Sequence, residues 1–504
     1  MSLLLVVVLL FFSSSCSVFS GQYYVSDDCS SVTQSPCNPL SVYAGDMSQY
    51  NNSIFYFIGT SDINDDVNMT AVRNVTLHGL DQSHLISSRS NKRSILIYNS
   101  SHVIISNMSV YNIGVVARSS NNITITNSLF NRKTIKLNNA FDVKVSSSVF
   151  IHYNVDIRYE PLPVCSTELP HYSLIVTNVT LLNYSGMELY TYHGASYNLS
   201  AIFHNYHNIL YSDSKFILGD SLFSFYIKNS LFRSAPGYNY YNIFRINFSA
   251  KLNPNKCKFP RIQLISTFVI EDSQFHDSWY GIRVSGVPYL PRTLSNHFII
   301  IIIKSCLIAN NIARGLEIDE KFLTLVQINI TDTVFIGNEA NVIINSNSIS
   351  FSNVTFANST STGLTLKASV VTIENKLTFK HNTGVVGGGL AINDSSQLIV
   401  SSSANLEFIG NHASYKGGGI YLEHTSYSGI TLEASDIPLT LINNTAGIYG
   451  DDIYGYTTHH GNNQFNLTNP IISSTGDVRE MYFCFPDKNL GYEQIYPGQA
   501  LKFH

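Results

Sequence analysis

Short runs in which apolar and polar residues alternate recur along most of the chain. Val103, Ile105, Asn107 and Val110 make one run; Ile123, Ile125, Asn127 and Phe130 make the next; Val143, Val145, Ser147 and Phe150 follow. The shared template is apolar-x-apolar-x-(Asn/Asp/Ser)-small-x-(Phe/Leu). Leu174, Val176, Asn178 and Leu181 fit it, as do Ile209, Tyr211, Asp213 and Phe216, and then Phe225, Ile227, Asn229 and Phe232. Phe268, Ile270, Asp272 and Phe275 continue it, followed by Ile300, Ile302, Lys304 and Leu307, by Ile328, Ile330, Asp332 and Phe335, and by Ile349, Phe351, Asn353 and Phe356. A period of two is a strand signal. The closest copies recur every 20 to 23 residues or so, too short for a strand–helix–strand unit but enough for one turn of a β-helix. No stretch carries a convincing amphipathic helix.

The most explicit copies lie in residues 377–421, which read LTFKHNTGVVGGGLAI and then LEFIGNHASYKGGGIYL. Phe379 is followed three residues later by Asn382, and Phe408 by Asn411; Phe335 and Asn338 precede them, and Leu441 and Asn444 follow. Each explicit copy continues into a glycine triplet, Gly387, Gly388 and Gly389 or Gly417, Gly418 and Gly419. Phe is expected to fill the interior and Asn to make a tight left-handed turn. Gly is expected where a Cβ would strike the neighbouring coil. The gaps after Phe150, Leu181, Phe232 and Phe275 begin at one register position, so insertions there should project from one side. Two carry aromatics, and Tyr190, Tyr192, Tyr238, Tyr240 and Tyr241 are the candidate ligand face; Tyr184, Tyr197 and Tyr206 lie near them. The competing reading is that these rings cap the core locally beneath a loop.

Composition sharpens this picture. Charged residues make up 13% of the chain, about half the usual share, and the formal charge of −4 gives no electrostatic case for nucleic acid or acidic lipid. The opening residues 1–20, with the apolar core Leu3 to Phe12, read as a cleaved secretory signal. Residues 21–70 then form an N-terminal capping segment, 71–456 the β-helix repeats, and 457–504 a C-terminal segment. An oxidising compartment permits disulfides; Cys29 and Cys37 are the best pair, Cys165 and Cys257 lie in insertions, and Cys306 reads as a buried thiol. About sixteen Asn-x-Ser/Thr acceptors occur, among them Asn68, Asn178, Asn353, Asn393 and Asn466. No run is long enough to span a membrane.

Candidate chemistry is sparse. Asp213, Asp272 and Asp332 share a template position that Asn and Ser fill elsewhere, which marks a turn residue rather than a catalyst. Asp451 and Asp452 sit in the last repeat's turn. Asp62, Asn64 and Asp66 imitate the start of a calcium loop, but Val67 and Arg73 stand where its Gly and Glu belong. His204 and His207 lack a third ligand, and adjacent His459 and His460 diverge in extended chain. No cofactor, metal or catalytic residue is assigned.

The phrases FIGN at 335–338 and 408–411, with GGGLAI and GGGIYL, resemble the F-x-x-N and G-G-A-I repeats of chlamydial polymorphic outer-membrane proteins. They are still more similar to large extracellular β-helix proteins of sponges and cnidarians. There a signal peptide leads into a Tyr-Tyr-Val segment, here Tyr23 to Val25, and a C-x-x-L-x-x-Y element, here Cys37 to Tyr43. AGIYGDDIYG at 446–455 and IYPGQ at 495–499 extend the likeness. The resemblance implies an extracellular right-handed parallel β-helix of the pectin-lyase-like kind and no particular reaction. Related chains often run on into cysteine-rich or membrane-spanning segments, so a longer form could be membrane-attached. The expected fold is all-β, a single-stranded right-handed parallel β-helix. The expected function is non-catalytic recognition or adhesion at the cell surface, with an unidentified glycan or protein ligand. The alternatives are a polysaccharide lyase or hydrolase and a passive spacer.

Overall fold

The computed structural model describes residues 21–455, apart from 89–92, 160–170, 192–197, 210–212, 219–221, 235–243, 249–263, 287–296, 320–325, 347, 424–428 and 433–437, and four short strands beyond 455. The chain divides into two compact units, residues 1–274 with 286–300, and residues 275–285 with 301–504. Each is a length of right-handed parallel β-helix.

In the first unit a coil holds three strands, as in Asn121–Thr126, Leu129–Asn131 and Thr134–Asn138. The first two belong to one sheet and the third to another. Each strand lies parallel to its equivalent one coil on: Asn121 pairs with Phe141, Leu129 with Val149 and Thr134 with Asn154. Alternation therefore becomes stacking. Val103, Ile123, Val143 and Leu174 form one column and Ile105, Ile125, Val145 and Val176 another, all buried. Phe130 and Phe150 stack with centroids 5.2 Å apart.

The corner after the first strand takes one residue in left-handed backbone. Asn107, Asn127, Ser147, Asn178, Asn229 and Asp272 have φ between 47° and 56° there, a region that Asn and Asp tolerate best among residues with a Cβ. Where a serine follows, as after Asn127, Ser147, Asn229 and Asp272, it is buried and binds between coils: Ser128 Oγ accepts the Met108 N–H at 3.3 Å, and Ser148 Oγ the Ser128 N–H at 3.2 Å. Parallel stacking reaches back to Gly21–Val25, which pairs with Ser53–Asp62 and with Cys37–Asn38. The Cys29–Cys37 disulfide closes this first winding, and Tyr23, Tyr43 and Tyr50 pack around Phe55.

The second unit keeps the plan. Phe335, Phe356, Phe379 and Phe408 stack at 4.7, 5.4 and 4.8 Å. Beside them runs a ladder of buried asparagines. Asn311 Nδ2 donates to Asn338 Oδ1 at 2.8 Å, Asn382 Nδ2 to Asn411 Oδ1 at 2.9 Å, and Asn411 Nδ2 to Asn444 Oδ1 at 3.0 Å. Each amide also donates to the carbonyl of the inward residue in the preceding coil, as Asn338 does to Ile308 at 2.9 Å, Asn411 to Phe379 at 3.0 Å and Asn444 to Phe408 at 3.0 Å. This corrects the expected role of Asn338, Asn382 and Asn411. The left-handed residue is the one before, namely Gly337, His381 and Gly410, and the asparagine is a fully buried rung.

Two template assignments also shift. In the run Phe298 to Ile303 the inward residues are Ile301 and Ile303 with Ile308, one place on from the expected Ile300, Ile302 and Leu307, because an all-aliphatic run hides its own register. The coil after Leu174 continues at Ala201 and Phe203, not Ile209, so Asp213 opens a strand of the other sheet, Asp213–Leu218, and shares no corner with Asp272. The gaps after Phe150, Leu181 and Phe275 each begin with a coil's third strand, Asn154–Tyr159, Gly186–Thr191 and Tyr280–Gly286.

Candidate recognition site

The glycine triplets reshape the surface of the second unit. Between the second and third strands of these coils an extra strand intervenes: Thr383–Val386, His412–Lys416 and Thr445–Ala446, mutually parallel. Gly387, Gly417 and Gly450 then take φ of 60°, 68° and 67°, where L-residues are strained. A Cβ on Gly388 would lie 2.4 Å from the His412 carbonyl oxygen and 2.5 Å from that of Gly418. Only glycine lets the chain fold back so tightly into the third strands, Leu390–Asn393, Ile420–Leu422 and Ile453–Tyr454.

This bend turns the outer sides of the extra and third strands toward each other. Lys416, the last residue of its extra strand, reaches across and donates from Nζ to Tyr454 Oη at 2.8 Å. Its ammonium lies 4.4 Å from the Tyr454 ring centroid, 4.8 Å from that of Tyr415 and 5.9 Å from that of Tyr449, within cation–π range. Tyr421 and Tyr454, paired on neighbouring coils, stack with centroids 5.7 Å apart and planes 3° apart. An apolar column borders this corner: Val385 is 67% exposed, Tyr415 39% and Ile448 54%, and the Ile448 N–H donates to the Tyr415 carbonyl at 2.9 Å.

Electrostatically the corner is a lone cation among tyrosines. No carboxylate among the described residues lies within ion-pair distance of Lys416. Burial pulls the Lys416 ammonium down, but the Tyr454 and Tyr415 hydroxyls outweigh it and hold its pKa above the ordinary lysine value. Burial, then the Glu423 charge, raises the Tyr421 phenol, so both groups keep their protons at neutral pH. Asp451 and Asp452 serve the scaffold beside the corner. Asp451 Oδ1 accepts the Ala446 N–H at 2.7 Å, and Asp452 Oδ1 joins the ladder by accepting from Asn444 Nδ2 at 2.8 Å. Burial first, then the Asp451 charge, raises the Asp452 carboxyl.

Two other polar clusters line the outside of the first unit. Asp156 and Glu188 share an outward register on adjacent coils. Arg158 grips Asp156 with Nε at 2.9 and 3.1 Å and Nη2 at 2.9 Å. Glu188 accepts from Tyr190 Oη at 2.7 Å and Lys215 Nζ at 3.1 Å. Burial works against ionisation of Glu188, but these bonds and the Lys215 and Arg158 charges bring its pKa below the usual carboxylate value. In the second cluster Tyr226 Oη donates to Glu271, and Lys228 Nζ lies 3.3 Å from Glu271 and 3.4 Å from Asp272.

The candidate residues divide as follows. Phe335, Phe379 and Phe408 stack inside with Asn338, Asn382 and Asn411 beside them, and the two glycine triplets form the bend. Tyr190 stands in a strand, not on an insertion loop; its hydroxyl is committed to Glu188, its ring lies under Arg158 at 5.1 Å, and burial followed by Glu188 pushes its pKa up to about 12. Tyr206 is wholly buried. Tyr192, Tyr238, Tyr240, Tyr241, Cys165, Cys257, His459, His460 and residues 1–20 lie outside the described residues. Asp62 and Asp66 each accept a backbone N–H from the coil that follows, those of Ser88 and Ser94. Cys306 is a buried thiol in no disulfide, and its Sγ donates to the Lys304 carbonyl at 3.2 Å. Among the described residues no three His, Cys, Asp or Glu side chains gather as a metal site would require, and no helix is long and apolar enough to cross a membrane.

No protein-family profile matches the chain, and no curated protein matches it in sequence. Distant likenesses to solved structures do exist. Tailspike protein 3 of bacteriophage CBA120 is 12% identical with a TM-score of 0.34, over 76% of this chain and 55% of that one. The tailspike of E. coli bacteriophage HK620, solved with a pentasaccharide, is 11% identical with a TM-score of 0.29, over 81% of this chain and 75% of its own. The catalytic domain of a GH87 alpha-1,3-glucanase, solved with tetrasaccharides, is 11% identical with a TM-score of 0.23, over 90% and 69%. This chain thus spans about half the length of the first of these.

Proposed function

We propose that this chain is a secreted or surface-displayed recognition ectodomain that binds a glycan or protein ligand and breaks no bond in it. The observation that carries the reading is the glycine-built corner. It presents a half-buried ammonium ringed by Tyr415, Tyr449 and Tyr454, beside stacked Tyr421 and an exposed apolar column. Tyrosine supplies large rigid contact area with a polar tip, which suits recognition. The likeness of the FIGN and GGG phrases to extracellular sponge and cnidarian β-helix proteins supports the location.

Glycan cleavage is the second reading, and one observation speaks to it. Asp156 and Glu188, one coil apart at one register, stand at a spacing of about 5 Å between strands, comparable to the carboxyl separation of retaining glycosidases. A general acid needs a raised pKa, whereas Glu188 is lowered and Asp156 is held by Arg158. The test is a glycan and cell-surface binding array with the purified secreted chain, with release of reducing ends or unsaturated products followed alongside. Binding without breakdown supports the proposal; catalytic breakdown, or no binding to any surface, refutes it.

A further inference from the structure

Lys416 is unlike the other lysines that the first and second units hold in ion pairs. Lys215 lies 3.1 Å from Glu188, Lys228 3.3 Å from Glu271, and Lys376 2.7 Å from Glu407. Lys416 has tyrosines instead: it donates to Tyr454 Oη at 2.8 Å, and the Tyr415 hydroxyl also holds it. An ammonium has three donors, so the two tyrosine hydroxyls leave capacity at the corner, and the surrounding rings lower the local dielectric and strengthen any charge met there.

We infer that this corner takes an acidic saccharide: a carboxylate or sulfate on the sugar pairs with Lys416, while the sugar ring packs against Tyr421 and Tyr454 and the exposed Tyr415 edge. The inference rests on the recognition reading above and narrows it. Charge complementarity argues for the acid, because among the described residues no carboxylate lies within ion-pair distance of Lys416, and the nearby ones are committed to the scaffold: Asp451 and Asp452 accept from Ala446 and Asn444, and Glu423 accepts the Asp394 N–H. Stacking argues for the sugar, because pyranose C–H faces meet aromatic rings as cations do, against the negative ring face. Tyr421 and Tyr454, with planes 3° apart on successive coils, fix the direction from which a ring can approach. A basic peptide or an amine-bearing glycan is disfavoured, since it would face Lys416 with like charge.

The test titrates the full secreted chain with three hexasaccharides of equal length, one uronate-bearing, one sulfated and neutral in its uronic positions, and one neutral throughout. At least one acidic probe is expected to bind about tenfold more tightly than the neutral one, and Lys416→Met to remove that advantage while Lys416→Arg retains it. Lys228→Met, in the first unit, should leave binding unchanged. A measurement on the unmodified protein stands independent of folding in the variants: affinity for the acidic probe should fall as salt rises, and affinity for the neutral one should not. Equal affinity for neutral and acidic probes, salt-insensitive binding, or full affinity in a folded Lys416→Met overturns the inference, as does a ligand that proves to be protein alone. Binding of neutral glycans only would sink this inference and leave the recognition reading standing; binding to no surface at all would remove both.

Discussion

Replacing Asn411 with alanine removes one rung of the ladder, and the structure lets the effect be worked out bond by bond. Asn411 Oδ1 accepts the Asn382 backbone N–H at 3.1 Å and Asn382 Nδ2 at 2.9 Å, while its Nδ2 donates to the Phe379 carbonyl at 3.0 Å and to Asn444 Oδ1 at 3.0 Å. All of these groups are buried. Alanine strands the Asn382 N–H outright and leaves the Asn382 amide and the Phe379 carbonyl short of a partner. At roughly 1–3 kcal/mol for each buried group left unsatisfied, partial relaxation leads to an expected loss of about 3–5 kcal/mol. The comparison is Asn353→Ala at an exposed corner, where Asn353 donates only to Asp332 at 3.1 Å; there the left-handed backbone should cost about 1 kcal/mol. Urea unfolding followed by the fluorescence of Trp279, the single tryptophan and a member of the same unit as both residues, reads the two losses side by side. Equal midpoints for the two variants, or an Asn411→Ala loss under about 1 kcal/mol, would refute the claim that the ladder is a principal stabiliser.

Further expectations follow from the same packing. Phe379→Ala should cost about 3–5 kcal/mol, because Phe379 sits between Phe356 and Phe408 at 5.4 and 4.8 Å; the same urea titration checks it. Gly388→Ala should leave little soluble protein, given carbonyl oxygens 2.4 and 2.5 Å from the added carbon, whereas Gly45→Ala meets open space and should express normally; soluble yield decides between them. Reducing the Cys29–Cys37 bond, which closes a span of 8 residues, should destabilise the first winding by about 2–3 kcal/mol, seen as faster amide exchange in residues 21–62. Asp452 gives a pH signature. Its folded pKa lies above the model-peptide value of 3.8, so the folded chain holds the proton more tightly, and stability falls as pH rises from that value through the raised one. Asp452→Asn, which keeps an acceptor for Asn444, should flatten that slope in denaturation midpoints measured across the acid range; an unchanged slope would show that the carboxyl does not titrate there.

Much of the fold was legible because a coil writes its register into the chain wherever apolar and polar residues alternate. Val103, Ile123 and Val143 align in the structure as their spacing required. Where alternation fails, so did the register: residues 298–303 are apolar on both faces, and Ile301 rather than Ile300 points inward. The asparagines misled for a different reason. A left-handed corner and a buried amide ladder both select Asn, and composition cannot separate them. The glycine before it, Gly337 or Gly410, already supplies the left-handed turn and was the available clue. The Lys416 corner escaped notice because its members lie on different coils. Its signal is an offset: Lys416 and Tyr449 each precede a left-handed glycine, and Tyr421 and Tyr454 each stand four residues after one. Lying in a sequence gap does not place an aromatic on a loop: Tyr190 belongs to a coil's third strand and Tyr206 to the buried side of the next coil's strand Asn198–Ile209, because a gap in the template still contains strands.

The most direct test of the account is a hydrogen-exchange footprint of the secreted chain with and without whichever acidic hexasaccharide it binds. Slower exchange confined to residues 412–422 and 445–455, with the sugar recovered whole, is the predicted result. Protection centred on Asp156 and Glu188, or recovery of shortened sugar, would contradict it.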